Sequence, residues 1–234
     1  MTGSHGACPR LRGFSMIEMA VSLVVIGLMV SGSAAYLGLF RSGNQLGTDA
    51  QLVSLSESVM LFAGMRSRLP CPDTAGDGYE ALVAGACPAG TQVGWLPYLS
   101  MGLSQPSARQ RAIYGVYRNP AADLAVSTAP ATVQTAAVQL VPNIAFVYVT
   151  GDGTTAQGAQ NCAANVVSNP AFVLLASGED LDGDGLQVDG IHNTLPANGR
   201  CFASPTRAVD TNFDDRTLAI SSNALMARLT NKLL

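Results

Sequence analysis

From Met19 through Phe40 the chain runs for 22 residues without a charged side chain, and the residue just before that run is a glutamate, Glu18. About 20 apolar residues in a helix span a hydrocarbon core, so residues 19–40 read as a membrane-spanning helix. Arg10 and Arg12 stand on the near side and only Arg41 is close on the far side, an asymmetry that keeps the N-terminus in the cytoplasm and sends the rest across. Gly27, Gly32 and Gly38, with Ser31 and Ser33, let neighbouring helices approach closely, at about 1 kcal/mol of helix stability per glycine. Glu18 is the anomaly. A carboxylate at the centre of a bilayer costs about 2.5–3.5 kcal/mol even on the lenient insertion scale, and no Lys or Arg lies within one helical turn of it, the nearest being Arg12 in the segment ahead of the run.

The segment ahead of the run, MTGSHGACPRLRG, is short and polar and lacks the apolar region of a secretory signal. RLRG followed by FSMIEM resembles the prepilin signal of type IV pilins and type II secretion pseudopilins. In that family a membrane peptidase cuts after the glycine and methylates the new amine. The resemblance implies cleavage between Gly13 and Phe14, N-methylation of Phe14, and an assembly role for Glu18 at the fifth mature position. It covers residues 10 to about 40. Its physical logic is a charge pair: the ammonium exposed on Phe14 of a neighbouring subunit becomes the cationic partner of Glu18, and losing one member of a low-dielectric pair is costly. The alternative is a glutamate snorkelling at the interface.

Beyond the span, Leu52, Leu55, Val59 and Phe62 recur at spacings of three and four, with Asp49, Glu57 and Arg66 left for the wet side, the pattern of an amphipathic helix. The helix is expected to stop at Pro70, because the residue before a proline avoids helical geometry. The resulting division is a leader at 1–13, a long helix at 14–69 and a globular head at 70–234. In the head, Ile113–Arg118, Asn143–Thr150 and Ala171–Ala176 read as strands bounded by turn residues. Val133–Val141 fits strand or helix. Ser222 is placed to cap a short C-terminal helix bearing Leu225, Met226 and Leu229, with Lys232 in its last turn. A long helix on an antiparallel sheet is an α+β arrangement, and the resemblance implies a pilin-like one.

Four cysteines, Cys71, Cys87, Cys162 and Cys201, lie beyond the span, an even number on the side of the membrane where disulfides persist. Of the three connectivities, Cys71–Cys87 with Cys162–Cys201 closes local loops and is favoured; free thiols or zinc ligands are the alternatives. The stretch LPCPDTAGDGYE, Leu69–Glu80, reads as a loop held by its bridge, with Asp77 a turn residue. Together with GWLPYLSMGL, Gly94–Leu103, it resembles a subgroup of prepilin-like proteins of Gram-negative bacteria.

In SGEDLDGDGLQVDG, Asp180, Asp182, Asp184 and Gly185 match the first half of a calcium loop, where alternate carboxylates converge and glycine permits the turn. The twelfth position is Ile191 rather than a bidentate glutamate. Asp189 stands in as a substitute ligand for Ca2+, and a solvated acidic loop is the competing reading; no other cofactor is expected. His192 is expected at the surface, and Asp214 and Asp215 in an exposed turn or a local salt bridge.

Only 12% of residues are charged and the net charge is −3, so there is no basic field to draw nucleic acid. Arg109, Arg111 and Arg118 read as solvated cations. Neither a P-loop nor a GxSxG nucleophile motif occurs, and no enzymatic role is expected. The resemblance implies a structural filament subunit. The size of the head points to a minor pilin, and a type II secretion pseudopilin is the alternative within the family. The partners implied are the prepilin peptidase, other pilin or pseudopilin subunits, an inner-membrane assembly platform and the lipid bilayer. The location implied is a single pass through the inner membrane with a periplasmic head, then a pilus or pseudopilus. A membrane-anchored periplasmic binding module or enzyme is the contrasting class.

Overall fold

The computed structural model describes residues 16–138, 141–151, 162, 166–180, 183–210 and 212–231, with the backbone alone across 30–47. The chain divides into two units, Met1–Gly47 and Thr48–Leu234. In the first, helix α1 (Met16–Arg66) begins, and every side chain from Met16 to Met29 is exposed, which covers all sides of the helix. Among the described residues no helix is long and apolar enough to cross a membrane. The span expected at 19–40 continues past Met29 into side chains outside the described set.

In the second unit the amphipathic pattern holds: Leu52, Leu55, Val59 and Phe62 are all buried. α1 ends at Arg66, three residues short of the expected end at Leu69. Ser67 turns into the left-handed region at φ 55, its N–H still bonded to Ala63 O at 2.9 Å. Its carbonyl accepts Thr128 N–H at 2.8 Å and Leu69 N–H pairs with Leu124 O at 2.8 Å. The chain thus leaves the helix to form tertiary backbone bonds, which local propensity does not encode.

The part of α1 from Thr48 onward packs on a four-stranded antiparallel sheet of β1 (Val93–Trp95), β2 (Ile113–Val116), β7 (Phe172–Ala176) and β9 (Arg216–Ile220), in that order. Because strand side chains alternate between faces, Tyr114, Val116, Phe172 and Leu174 join the α1 residues in one apolar cluster. Ile113, Val173 and Leu175 join a second cluster on the other face, with Val147, Val149 and Phe202. Gly115 permits that second layer, since a Cβ there would meet Phe202 and Val147 at 3.0 Å.

The second layer holds a small sheet of β6 (Val166–Ser168), β5 (Tyr148–Thr150) and β8 (Cys201–Phe202), in which β5 and β8 are parallel. β3 (Arg118–Asn119) and β4 (Ala122–Asp123) form a hairpin. Helix α2 (Pro130–Ala137) resolves the ambiguous Val133 segment as helix. Helix α3 (Ser222–Asn231) closes the chain, with Leu225 fully buried. Its cap is Ser221 rather than Ser222, because Ser221 Oγ accepts Ala224 N–H at 3.2 Å; Lys232 lies outside the described residues. The fold is α+β.

The strand expected at Asn143–Thr150 shrinks to Tyr148–Thr150. Ahead of it the backbone bonds to side chains instead of a ladder. Asn169 Oδ1 accepts Asn143 N–H at 2.7 Å, and Asn169 Nδ2 donates to Asn143 O and Val147 O at 2.9 and 2.8 Å. Gln92 donates to Ala145 O at 3.1 Å and accepts Val147 N–H at 3.0 Å.

Candidate functional site

Gly13 and Phe14, the expected cleavage pair, lie outside the described residues. Glu18 is exposed and sits in the first turn of α1, where the helix dipole favours a carboxylate; Ser22 Oγ donates to its carbonyl at 2.7 Å. Around it Met16, Ile17, Met19, Val21, Leu23, Val24, Ile26, Leu28 and Met29 are each more than half exposed. A helix apolar on all sides belongs in lipid or against other helices. This surface needs a cover, and one acid stands at its edge.

In the head, the two local disulfides form: Cys71–Cys87 with Cα atoms 5.5 Å apart and Cys162–Cys201 with Cα atoms 5.9 Å apart. Around the first, the CPD element is a carboxylate-caged loop. Asp73, buried, accepts N–H groups from Ala75 and Gly76 at 2.9 and 2.7 Å and from Gly78 at 2.7 Å. Glu80 accepts Cys71 N–H at 2.6 Å and grips Arg68 through both oxygens at 2.5 and 2.9 Å. That pairing raises the Arg68 pKa. Burial first, and then the Glu80 carboxylate, push the Tyr114 phenol well above its ordinary range. Asp77 makes the expected turn, accepting Tyr79 N–H at 2.9 Å.

Arg118 is not a solvated cation. It is buried, holds Asp123 at 2.6–3.0 Å, and donates to Thr91 O and Cys87 O at 3.0 and 3.2 Å. Positioned this way, it ties the second disulfide cysteine to the β3–β4 hairpin. Arg109 is exposed, and Arg111 donates to Gly76 O.

Among the described residues, Asp180 and Asp184 of the acidic loop do not group with Asp189. Asp182 lies outside the described residues. Asp180 accepts the N–H groups of Gly183 and Gly185 at 2.8 and 3.0 Å, and Asp184 accepts Leu186 N–H and Asn193 Nδ2 at 2.8 and 2.6 Å. Asp189 instead groups with Asp214 and Asp215, with one carboxylate oxygen from each lying within 4.8 Å of the others.

At that second cluster sits His192, which is fully buried rather than at the surface, as is the Asp215 side chain. Ala203 N–H donates to His192 Nε2 at 2.9 Å, so Nε2 is the acceptor nitrogen and the proton sits on Nδ1, which faces Asp215 Oδ2 at 2.7 Å. Asp215 also accepts Asp189 N–H at 2.9 Å and Gly178 N–H at 3.3 Å. Asp189 accepts Asp214 N–H at 3.2 Å, and Asp214 accepts Glu179 N–H at 3.1 Å. Buried carboxylates need such donors, and here they stitch the turn at Gly190–His192, the end of β8 and the start of β9. The sequence offered one weak hint, an Asp-Asp pair directly ahead of an apolar strand. The other partners come from distant segments.

An N-terminal helix that is apolar all round, followed in the same chain by a disulfide-stapled α+β head, defines a class: proteins whose helix is clothed by lipid or by other chains. Residues 9–34 match the family model of the prokaryotic N-terminal methylation motif, the prepilin-type signal of type IV pilins and pseudopilins. No curated protein and no solved structure matches the chain significantly. The motif points to a structural role, with processing by a prepilin peptidase and assembly with other pilins.

Proposed function

We propose that this chain is a structural subunit, a minor pilin, of a type IV pilus-like filament. The observation that carries the reading is the methylation motif at residues 9–34 continuing directly into a helix whose apolar side chains are exposed all round up to Met29. The chain enters the inner membrane as a single pass with its head in the periplasm. The peptidase cuts between Gly13 and Phe14 and methylates Phe14. Glu18 then takes the Phe14 ammonium of a neighbouring subunit as its partner and sets axial register. Contacts of one patch with a different patch build open helical polymers.

The test is Glu18→Ala in cells. Membrane fractionation should find the variant inserted at the wild-type level, while sheared filaments contain little of it. Equal amounts of variant and wild type in the filaments would refute the pairing.

A further inference from the structure

We propose that Asn198–Gly199 is a self-modification site, at which the chain converts its own asparagine to aspartate and isoaspartate without an enzyme. Asn198 is the one asparagine of the chain that is followed by glycine. It is exposed, at the end of the turn that follows Gly190–His192, and its own N–H is held by Thr194 O at 2.9 Å. Among the described residues, its side-chain amide has no hydrogen-bond partner, and neither does the N–H of Gly199.

Those two groups are the reactants. The Gly199 nitrogen loses its proton to hydroxide and attacks Asn198 Cγ; a C–N bond forms, the bond to the side-chain nitrogen breaks, and ammonia leaves. Water then opens the resulting succinimide ring at one carbonyl or the other. One opening gives aspartate, and the other gives isoaspartate, whose backbone runs through the former side chain. Asparagine is a thermolabile residue, and a following glycine, with no Cβ, leaves the approach of its nitrogen unhindered. The fold keeps that glycine in place, since a Cβ on Gly199 would meet Thr194 Oγ1 at 2.5 Å and Leu195 Cδ2 at 2.6 Å. Two Asp-Gly pairs, which could cyclise in the same way with loss of water, are guarded. Gly78 N–H is held by Asp73 at 2.7 Å and Gly185 N–H by Asp180 at 3.0 Å, so neither nitrogen is free to attack Asp77 or Asp184.

Asn198 and Arg200 line the same groove, of about 490 Å³, whose described lining carries Arg200 as its one charge. The reaction sets a carboxylate in the wall of that groove. In the isoaspartyl product it also lengthens the backbone just ahead of Arg200 O, which accepts Tyr148 N–H at 3.0 Å at the entry to β8. The inference does not depend on the filament reading.

The experiment incubates the full chain in detergent micelles in heavy-oxygen water, at neutral and mildly alkaline pH, with a parallel sample in urea. Peptide mass spectrometry then maps the products, with aspartyl and isoaspartyl forms separated. The native chain should take up one heavy oxygen at residue 198, release ammonia, give both isomers, and do so faster as pH rises. In Asn198→Gln, whose longer side chain has to close a larger ring, the product should fall to the level at Asn223, an exposed asparagine followed by alanine. Modification in urea alone means that the fold holds the pair apart, and aspartate without isoaspartate means plain hydrolysis. Either result overturns the proposal, as does an intact Asn198 throughout, or isomerisation at Asp77 or Asp184 as fast as at residue 198.

Discussion

Replacing His192 separates its two hydrogen bonds. In His192→Leu most of the ring volume facing Phe202 and Phe213, with centroids 6.2 and 5.4 Å away, is kept. The Asp215 carboxylate loses its side-chain donor and Ala203 N–H loses its acceptor, both at sites with no exposure at His192 or Asp215. An orphaned buried N–H costs about 1–3 kcal/mol, and a lost hydrogen bond to a charged group about 1.5–3 kcal/mol. Their sum is about 2.5–6 kcal/mol, a large part of the 5–15 kcal/mol typical of a folded domain. His192→Asn keeps a donor where Nδ1 stood and loses only the Ala203 bond. His192→Gln keeps an acceptor where Nε2 stood and loses only the Asp215 bond. Each amide should therefore cost about 1–3 kcal/mol. Urea denaturation of the full chain in detergent, followed by the fluorescence of Trp95, reads this region, because the sole tryptophan packs on the cluster containing Leu195 and Phe202. Amide variants as unstable as Leu would mean that ring packing, not the two bonds, holds the turn. A Leu variant as stable as wild type would remove the network from the account altogether.

Tyr114→Phe should be neutral or stabilising by about 1 kcal/mol, because the buried Tyr114 hydroxyl has no hydrogen-bond partner to lose; a loss of more than that in the same urea assay refutes it. The phenol's raised folded-state pKa means its contribution is fully present below the unfolded value of about 10 and is lost as pH rises through the folded value. Alkaline unfolding should be less steep in Tyr114→Phe, and unchanged steepness counts against the reading. Gly94→Ala places a Cβ 2.5 Å from Asp73 O and should destabilise by about 1–3 kcal/mol or more, while Gly90→Ala, which meets nothing within 4 Å, tests the strain of its φ of +86 alone. Serine replacement of both members of a bridge should remove about 3 kcal/mol for Cys71–Cys87 and about 4 kcal/mol for Cys162–Cys201, from loops closed over 16 and 39 residues. Equal stability with and without reductant contradicts that.

What could be read from the sequence was what lies close together along the chain. The apolar period from Leu52 to Phe62 and the strands around Ile113 and Phe172 each carry their burial in a few adjacent residues. The methylation motif is likewise contiguous. The His192 cluster was not legible, since its donors and acceptors come from residues 178, 189, 192, 203, 214 and 215, which meet only when β8 and β9 are in place. Arg118 was misread for the same reason: its partners Cys87, Thr91 and Asp123 lie on both sides of it in sequence and converge through the disulfide loop. The first residues of the segment at Asn143 were misassigned because the side chains of Gln92 and Asn169 supply the hydrogen bonds a strand would otherwise have made. The calcium-loop spacing likewise did not predict where Asp189 would go, because its carboxylate answers to Asp214 across the fold.

The filament account rests on removal of the leader. Intact-mass and N-terminal fragment measurement on protein taken from its native cells tests that directly. The account predicts a mature chain beginning at Phe14 with one added methyl group on its amine. A chain still carrying residues 1–13 contradicts it.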